Sequence, residues 1–220
     1  MDRSALFNAI YNQNVWRFAD GSGHGSAAEY NAGLLRALQR VLERLGVRLL
    51  VDVGCGACVW TERLLQKMAT LRYHGVDIAT LAVERARARF EQFAPRATFT
   101  VADACADALP RGDAATAVLC RDTLQHLTPE DAVAALRRMA DTGAGWIIVG
   151  GYFPGANRRV GPAYHHDINL AQAPFALDPD WVHSEDNDPA DPHKHLFVYS
   201  GDRLRATDWG ALAARVAAFP

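Results

Sequence analysis

Twelve residues, LLVDVGCGACVW at 49–60, combine an apolar run with an acid, two glycines and two cysteines. Gly54 and Gly56 lack a Cβ, so the backbone there can turn sharply and approach a ligand closely. Such a turn is typical of a nucleotide-like site, and equally of an ordinary tight turn. Asp52 and Trp60 flank it and are candidate ligand contacts, although an aromatic residue at a helix start more often belongs to the core.

The two cysteines of this stretch, Cys55 and Cys58, form a CxxC pair with two rival interpretations. A zinc site needs four ligands, and neither a second CxxC nor an HxxxH pair lies at a suitable spacing. A redox pair would need Cys58 to open a helix whose dipole lowers the thiol pKa, but thioredoxin-like pairs lack the surrounding glycines. We expect both cysteines to serve as small apolar residues, with no metal bound.

Two acids follow later strand-like runs. Asp77, with Ile78 beside it, ends YHGVDI and lies 21 residues after Gly56. An acid at this place can accept hydrogen bonds from both ribose hydroxyls of an adenosyl ligand. Asp103, with Ala104 beside it, ends the next run, where it could meet an adenine amino group. The alternative for both acids is a helix cap.

A third polar group follows the fourth strand-like run, in LCRDTLQHL. Arg121, Asp122 and His126 are more titratable groups than packing requires at one sheet edge. His126 is the candidate general base, since an imidazole titrates near neutral pH. Asp122 could orient that imidazole or cap the next helix, and His126 itself could simply pack beside Leu127.

Short β-rich runs alternate with helical patterns between residues 46 and 151, which predicts a doubly wound α/β fold. The predicted helices cover 59–69, 79–93 and 129–141, and Thr207 is the predicted cap of a C-terminal helix. We expect a mostly parallel, seven-stranded, Rossmann-like sheet with helices on both faces and an antiparallel edge strand. The chain 1–220 is then one domain: helices and a lid loop (1–45), the core (46–151), an insertion (152–193), and an edge strand with a C-terminal helix (194–220).

The insertion is rich in proline and histidine and is expected to cover the sheet edge and form an acceptor pocket. Its basic side chains favour an anionic small molecule as the substrate, and the alternative is a solvated loop balanced by its acids. Tyr30, beside DGSGHGS, would belong to a lid that closes over the site. The substrate-binding candidates are Tyr30, Arg159, His165 and His166.

Composition limits the function classes. The formal net charge is −2, with 23 basic and 25 acidic residues, so no overall positive field would attract nucleic acid or anionic lipid. No apolar run approaches the roughly 18 residues of a membrane span. Four dispersed cysteines suit a reducing compartment. We expect a cytoplasmic protein without nucleic-acid or membrane partners. Whether it forms a homodimer stays open.

Together these motifs resemble the class I S-adenosylmethionine-dependent methyltransferases across roughly residues 45–151. VDVGCG is similar to the family's acidic strand and GxG loop, Asp77 to its ribose acid, ADA at 102–104 to its adenine segment, and LCRDTLQHL to its fourth-strand motif. One departure is that Cys58 replaces the third glycine of GxGxG. The flanking SGHGS, RDxLxHL and NLxxAPF motifs resemble a small bacterial subgroup, in which an aromatic residue and an arginine stand near the places of His165 and His166.

The resemblance implies S-adenosylmethionine as cosubstrate and methyl transfer to a small-molecule acceptor. The cosubstrate would contact Asp52, Gly54, Gly56, Trp60, Asp77, Ile78, Asp103, Ala104 and Arg121. Two other functions stay open. A nicotinamide-dependent oxidoreductase would share the glycine loop and Asp77, but Val59 stands where its fingerprint has a third glycine. A non-catalytic adenosyl-binding scaffold is the second, because a fold does not fix a function.

Overall fold

A seven-stranded sheet forms the centre of the computed structural model, which describes residues 2–17, 21, 31–185 and 193–220. Its strands are β1 (Leu49–Val53), β2 (Arg72–Asp77), β3 (Ala97–Val101), β4 (Thr116–Cys120), β5 (Trp146–Tyr152), β6 (Trp181–Ser184) and β7 (Lys194–Ser200). They lie in the order β3-β2-β1-β4-β5-β7-β6, and β1 to β5 are parallel. Strand β7 is antiparallel to both β5 and β6. The predicted mostly parallel sheet with an antiparallel pair at one edge is confirmed.

Helices cover both faces of the sheet, as predicted. They are α1 (Arg3–Asn12), α2 (Ala32–Arg44), α3 (Thr61–Lys67), α4 (Thr80–Arg89), α5 (Pro129–Ala140), α6 (Gly201–Arg205) and α7 (Trp209–Ala218). Apolar residues of α1, α5, α6 and α7 pack on one face, and those of α2, α3 and the end of α4 pack on the other. Within the described residues, no helix has the length and apolarity needed to cross a membrane.

The strand order reverses direction between β1 and β4. The chain passes from β1 outward to β2 and β3, and then returns to β4 on the other side of β1. In open α/β sheets this reversal opens a crevice beyond the carboxyl ends of the strands, where ligands bind. The loops after β1, β2, β3 and β4 therefore lie where a ligand is expected.

Two helices are shorter than the patterns predict. Residues 59–69 give only the two turns of α3, and the pattern at 79–93 ends as α4 at Arg89, followed by a short 3-10 turn. The predicted cap of the last helix is wrong. The carboxylate of Asp208 accepts the backbone N–H of Ala211, while the hydroxyl of Thr207 contacts the carbonyl of Arg203 instead.

The segment after β5 folds back over the loop that follows β4. The amide of Ala163 donates to the carbonyl of His126 at 2.8 Å, and the amide of His166 donates to that of Gln125 at 3.1 Å. The amide of Tyr152, at the end of β5, donates to the carbonyl of Ile168 at 2.8 Å. These bonds bring the described part of the insertion beside the carboxyl ends of β4 and β5.

Candidate active site

The loop after β1 adopts a left-handed backbone at three positions. The φ angles are +76° at Gly54, +57° at Gly56 and +55° at Cys58. A Cβ at Gly54 would collide with the side chain of Thr123, whose Cγ2 lies 2.6 Å from the place it would occupy. Cys58 thus adopts the conformation that a third glycine would take more easily, at a cost of about 1–2 kcal/mol. The departure from GxGxG leaves the turn itself in place.

Asp77 ties this loop to the end of β2. Its Oδ2 accepts the amide of Gly56 and its Oδ1 accepts the amide of Ala79, both at 2.8 Å. Only 8% of the residue is exposed, and this burial raises the pKa of the carboxyl although both backbone bonds favour the charged form. A carboxylate offers about four acceptor positions, so Asp77 keeps capacity for a further donor.

Asp52 lies inside the core behind the loop. Its Oδ2 accepts the hydroxyl of Tyr73 at 2.7 Å, and that hydroxyl is also 3.2 Å from Sγ of Cys58. Burial raises the pKa of Asp52 to about 7, the charge of Asp77 adds to the rise, and the bond from Tyr73 opposes it. The side chain is in the right place to support the loop from the core.

The N-terminal helix reaches the end of β3. The Nε of Arg3 donates to Oδ2 of Asp103 at 3.0 Å, and Nη1 of Arg3 pairs with Asp131 of α5 at 2.6 Å. The half-buried side chains of Ile78 and Ala104 pack against the same core cluster as α1. The acid predicted to meet adenine is therefore also an anchor for α1.

A buried ion network lies at the end of β4. The guanidinium of Arg121 pairs with both carboxylate oxygens of Glu185, at 2.8–3.1 Å, and with Asp122 at 2.8 Å. Lys194, the first residue of β7, pairs with Asp122 at 2.8 Å. The Arg121 guanidinium also lies 5.9 Å from the ring centre of the buried Trp60. Two cations and two anions thus join the end of β4 to the antiparallel strand pair.

Charge pairing governs the protonation of this network. Burial raises the pKa of Asp122, but Arg121 and Lys194 outweigh it and lower the value to about 2. Burial lowers the pKa of Arg121, and Asp122 and Glu185 outweigh it and raise the value above its ordinary range. Asp122 also has a φ of +55°. Unusual backbone of this kind is common at functional sites.

His126 ends a short 3-10 turn, Leu124–His126, beside this network. Its ring lies 5.0 Å from that of Trp16 and 5.5 Å from that of His165, measured between centroids. Its Nδ1 is buried and has no hydrogen-bond partner among the described residues. Burial, together with the charge that His165 can carry, lowers the pKa of His126 to about 4. The imidazole is therefore neutral near pH 7 and can accept a proton.

The remaining candidates lie in different places. His165 is exposed, and its Nε2 is 3.3 Å from the hydroxyl of Tyr152. His166 is buried, with Nδ1 at 2.9 Å from the carbonyl of Gln125. Arg159 donates to carbonyls at the end of α7 and pairs with Glu130. The predicted contact Tyr30 and most of the predicted lid lie outside the described residues.

Three residues of this region carry no sequence signal for it: Glu185 reads as one acid of a charged segment, and Trp16 and Tyr152 read as ordinary apolar positions. Lys194, in contrast, is one of the basic side chains expected to give the acceptor pocket positive character. Pairing of β7 with β5 brings Lys194 opposite Tyr152. Long-range strand pairing therefore assembles this part of the site. The sequence predicts the antiparallel strands, but not which residues their pairing brings together.

The CxxC cysteines are free and buried. Among the described residues, no three His, Cys, Asp or Glu side chains are arranged to hold a metal ion. A hydrogen bond with Cys58, followed by burial, raises the pKa of the Cys55 thiol, which therefore stays protonated at neutral pH. A protonated thiol is a poor nucleophile and a poor metal ligand.

Residues 50–142 match a family model described as a methyltransferase domain. Magnesium protoporphyrin IX methyltransferase from Synechocystis PCC 6803, solved with S-adenosylmethionine, superposes with a TM-score of 0.59 at 20% identity, over 90% of this chain and 96% of that one. The mitomycin 7-O-methyltransferase MmcR superposes with a TM-score of 0.58 at 17% identity, over 76% of this chain and 53% of that one. No curated protein matches the sequence.

Proposed function

We propose that this protein transfers a methyl group from S-adenosylmethionine to a small-molecule acceptor, because residues 50–142 match a family model described as a methyltransferase domain and the fold resembles that of a methyltransferase. The neighbour from Synechocystis PCC 6803 was solved with that cosubstrate bound. The observation that carries the proposal for this chain is the contact between Asp77 and the amide of Gly56. It joins the glycine turn to the acid at the crevice where the strand order reverses.

The residues around this crevice fit an adenosyl ligand. Asp77 keeps acceptor capacity for a ribose hydroxyl, and a hydroxyl donor would satisfy a carboxylate that burial otherwise penalises. The left-handed turn at Gly54 and Gly56 keeps side chains away from the ligand's path. Ile78 and Ala104 offer apolar flanks for the adenine, and Asp103 is the candidate partner of its amino group. Asp52 and Trp60 support the loop from the core.

The cosubstrate, when bound, supplies a methyl group that its sulfonium already makes electrophilic. The protein has to hold an acceptor in line with the S–CH₃ bond, and such positioning can supply about 7–11 kcal/mol of barrier reduction. Residues at the ends of β4 and β5 are the candidates for this task. His126 would receive a proton if the acceptor releases one, since Nδ1 is buried and its imidazole is neutral.

Arg121 and Asp122 have a positioning role in this proposal. Their charges are engaged with Glu185 and Lys194, so they hold the loop that carries His126 in place. Arg159 is left out of the acceptor site, because its guanidinium caps α7. The ring of His166 faces the backbone carbonyl of Gln125, so it would form part of the wall of the acceptor site. The anionic acceptor expected from the basic residues therefore loses most of its support.

The four free thiols agree with a reducing compartment, and we place the reaction in the cytoplasm.

Two alternative functions differ from methyl transfer. A nicotinamide-dependent oxidoreductase is disfavoured by Val59 at the place of the third glycine of the dinucleotide fingerprint. A scaffold that binds the adenosyl ligand without turnover differs from the enzyme only in activity.

Calorimetric titration separates these functions. We expect S-adenosylhomocysteine and S-adenosylmethionine to bind with one site per chain, and NAD not to bind. Gly56→Val should abolish the binding and leave the circular dichroism spectrum unchanged, while Gly161→Ala, in an exposed loop, should bind as the original does. Binding of NAD with no binding of S-adenosylhomocysteine would refute methyl transfer. Binding without transfer of a labelled methyl group to any metabolite would favour the scaffold.

A further inference from the structure

Four ring-bearing side chains cluster at the ends of β4 and β5. Trp16 and His126 lie 5.0 Å apart with ring planes 32° from parallel, and His165 approaches His126 edge-on at 5.5 Å. Tyr152 meets His165 at 5.9 Å with the planes nearly perpendicular, and its hydroxyl is 3.3 Å from Nε2 of His165. Tilted and edge-on contacts at these distances are the favourable geometries for aromatic rings. The cluster is defined as Trp16, His126, Tyr152 and His165.

The cluster lies where an acceptor has to be. His126 follows β4 and Tyr152 ends β5, so both lie at the sheet edge that carries the glycine turn. His165 belongs to the insertion that hydrogen-bonds to the loop of His126. Trp16 follows α1, the helix that Arg3 anchors to the end of β3. Four separate parts of the chain therefore contribute one ring each to the same place.

The charges around the cluster are balanced. Arg121 and Lys194 are both paired, with Glu185 and Asp122, in a network of two cations and two anions. Arg159 is engaged at α7, and the exposed Arg158 donates to the carbonyl of His165. His126 is itself neutral near pH 7. A carboxylate or phosphate brought here would lose water without gaining an unpaired buried cation among the described residues, and such desolvation is costly.

From this combination we infer that the acceptor is an uncharged, planar aromatic molecule that carries a hydroxyl group. The inference rests on the proposed methyl transfer and specifies its substrate class. The rings of the cluster supply the stacking surface, and the buried Nδ1 of His126 supplies a hydrogen-bond acceptor for the hydroxyl. In the transfer, the hydroxyl oxygen forms the new O–CH₃ bond as the S–CH₃ bond breaks. The bonding electrons stay on sulfur, giving the thioether, and the hydroxyl proton passes to His126.

Binding of simple aromatic probes to the protein saturated with S-adenosylhomocysteine tests this without turnover. We expect 2-naphthol to bind at least tenfold more tightly than 2-naphthoate or 2-naphthyl phosphate. It should also bind several-fold more tightly than naphthalene, which lacks the hydroxyl. Equal or tighter binding of either anion would overturn the inference. So would failure of all three phenols, 1-naphthol, 2-naphthol and catechol, to bind.

Variants at two residues assign the effect to the cluster. Trp16→Ala should weaken 2-naphthol binding about tenfold, whereas Trp16→Phe should keep most of it. In His126→Phe, 2-naphthol and naphthalene should bind with about equal affinity, because the variant keeps an aromatic ring but loses the hydrogen-bond acceptor. Trp181→Ala, toward the amino end of β6, is the matched control and should leave naphthol binding unchanged. Unchanged naphthol binding in both Trp16→Ala and His126→Phe would place the site elsewhere and refute the inference.

Affinity for S-adenosylhomocysteine is measured in each variant as well. Retained affinity shows that the variant is folded and that a loss of naphthol binding belongs to the cluster. If the original protein binds S-adenosylhomocysteine but none of the phenols, the substrate class is wrong and the proposed methyl transfer stands. If it does not bind S-adenosylhomocysteine, both fall together.

Discussion

The carboxylate of Asp77 links two parts of the site. One oxygen holds the amide of Gly56 in the turn after β1, and the other holds the amide of Ala79 before α4. The side chain is almost fully buried, so each of its hydrogen bonds forms away from bulk water. Charge-assisted bonds of this kind contribute about 1.5–3 kcal/mol each. A single acid thus shapes the turn and remains able to bind a ligand.

Asp77→Ala should therefore weaken S-adenosylhomocysteine binding by one or two charge-assisted bonds, about 10- to 100-fold or more in Kd. Asp77→Asn keeps one carbonyl oxygen and should fall between the original and the alanine variant. Calorimetric titration measures both. Asp202→Asn, on an exposed carboxylate of α6, is the control. If Asp77→Ala bound the ligand as tightly as the original, the ribose role would be wrong.

Asp52 links the same turn to the stability of the protein. Its pKa rises from the ordinary value of about 3.9 to about 7 in the folded protein, chiefly through burial. The folded state then holds a proton that the unfolded state has lost between these two pH values. The contribution of Asp52 is fully present below pH 4, falls as pH rises, and is lost above pH 7.

Asp52→Asn removes this titration and keeps an oxygen that can accept the hydroxyl of Tyr73. We expect the variant to be more stable than the original at pH 8, by up to a few kcal/mol at about 1.4 kcal/mol per unit of pKa shift. At pH 4 the two should differ little. Urea unfolding at both pH values measures the difference in free energy. A difference that does not change with pH would contradict the assignment.

At the scale of elements, the ion network holds the end of β4 to the strand pair β6 and β7. Arg121 follows β4, Glu185 follows β6, and Lys194 opens β7. Removing one partner of a buried ion pair leaves the other charge uncompensated. This typically costs about 3–5 kcal/mol of stability. The same network fixes the loop that carries His126. Stability and positioning are thus coupled at this place.

Glu185→Ala should lower the free energy of unfolding by roughly 3 kcal/mol, measured by urea unfolding at pH 7. The double variant Arg121→Met with Glu185→Leu should recover most of the lost stability, because it removes both charges of the buried pair. Asp202→Ala breaks the exposed pair with Arg205 and should change stability little. A double variant less stable than Glu185→Ala alone would show that the pair stabilises the fold directly.

At the scale of the whole molecule, two buried groups impose opposite pH dependences. His126 has its pKa lowered from 6.5 to about 4, so its unfolded state binds the extra proton between these values. Its contribution to stability therefore falls as pH drops from 6.5 to 4. That of Asp52 falls as pH rises over nearly the same interval. Each has a slope of about 1.4 kcal/mol per pH unit, and the slopes cancel between pH 4 and 6.5.

His126→Phe should expose the slope of Asp52, and Asp52→Asn should expose the slope of His126. Between pH 4.5 and 6, the free energy of unfolding should fall with rising pH in the first variant and rise with it in the second. Urea unfolding at three pH values in this interval measures both slopes. Identical pH profiles for the two variants would refute the opposing titrations.

The fold was largely predictable from the sequence because its signals are local. The alternation of β-rich and helical runs gives the sheet, and Thr128 with Pro129 gives the start of α5. Helix ends were less predictable, since Asp208 and Thr207 are adjacent and both can cap. The proposed cosubstrate contacts are read from glycines and acids at strand ends, and they stay a prediction. The ring cluster and the ion network did not, because they join residues that only tertiary pairing brings together.

The central claim is that the turn at Gly54 and Gly56 receives an adenosyl ligand whose ribose is held by Asp77. A crystal structure with S-adenosylhomocysteine tests it most directly, through the distances between the carboxylate oxygens of Asp77 and the two ribose hydroxyl oxygens. We predict at least one distance of about 2.5–3.0 Å, the range of a hydrogen bond between oxygens. A ligand bound elsewhere, or a ribose out of reach of Asp77, would contradict the account.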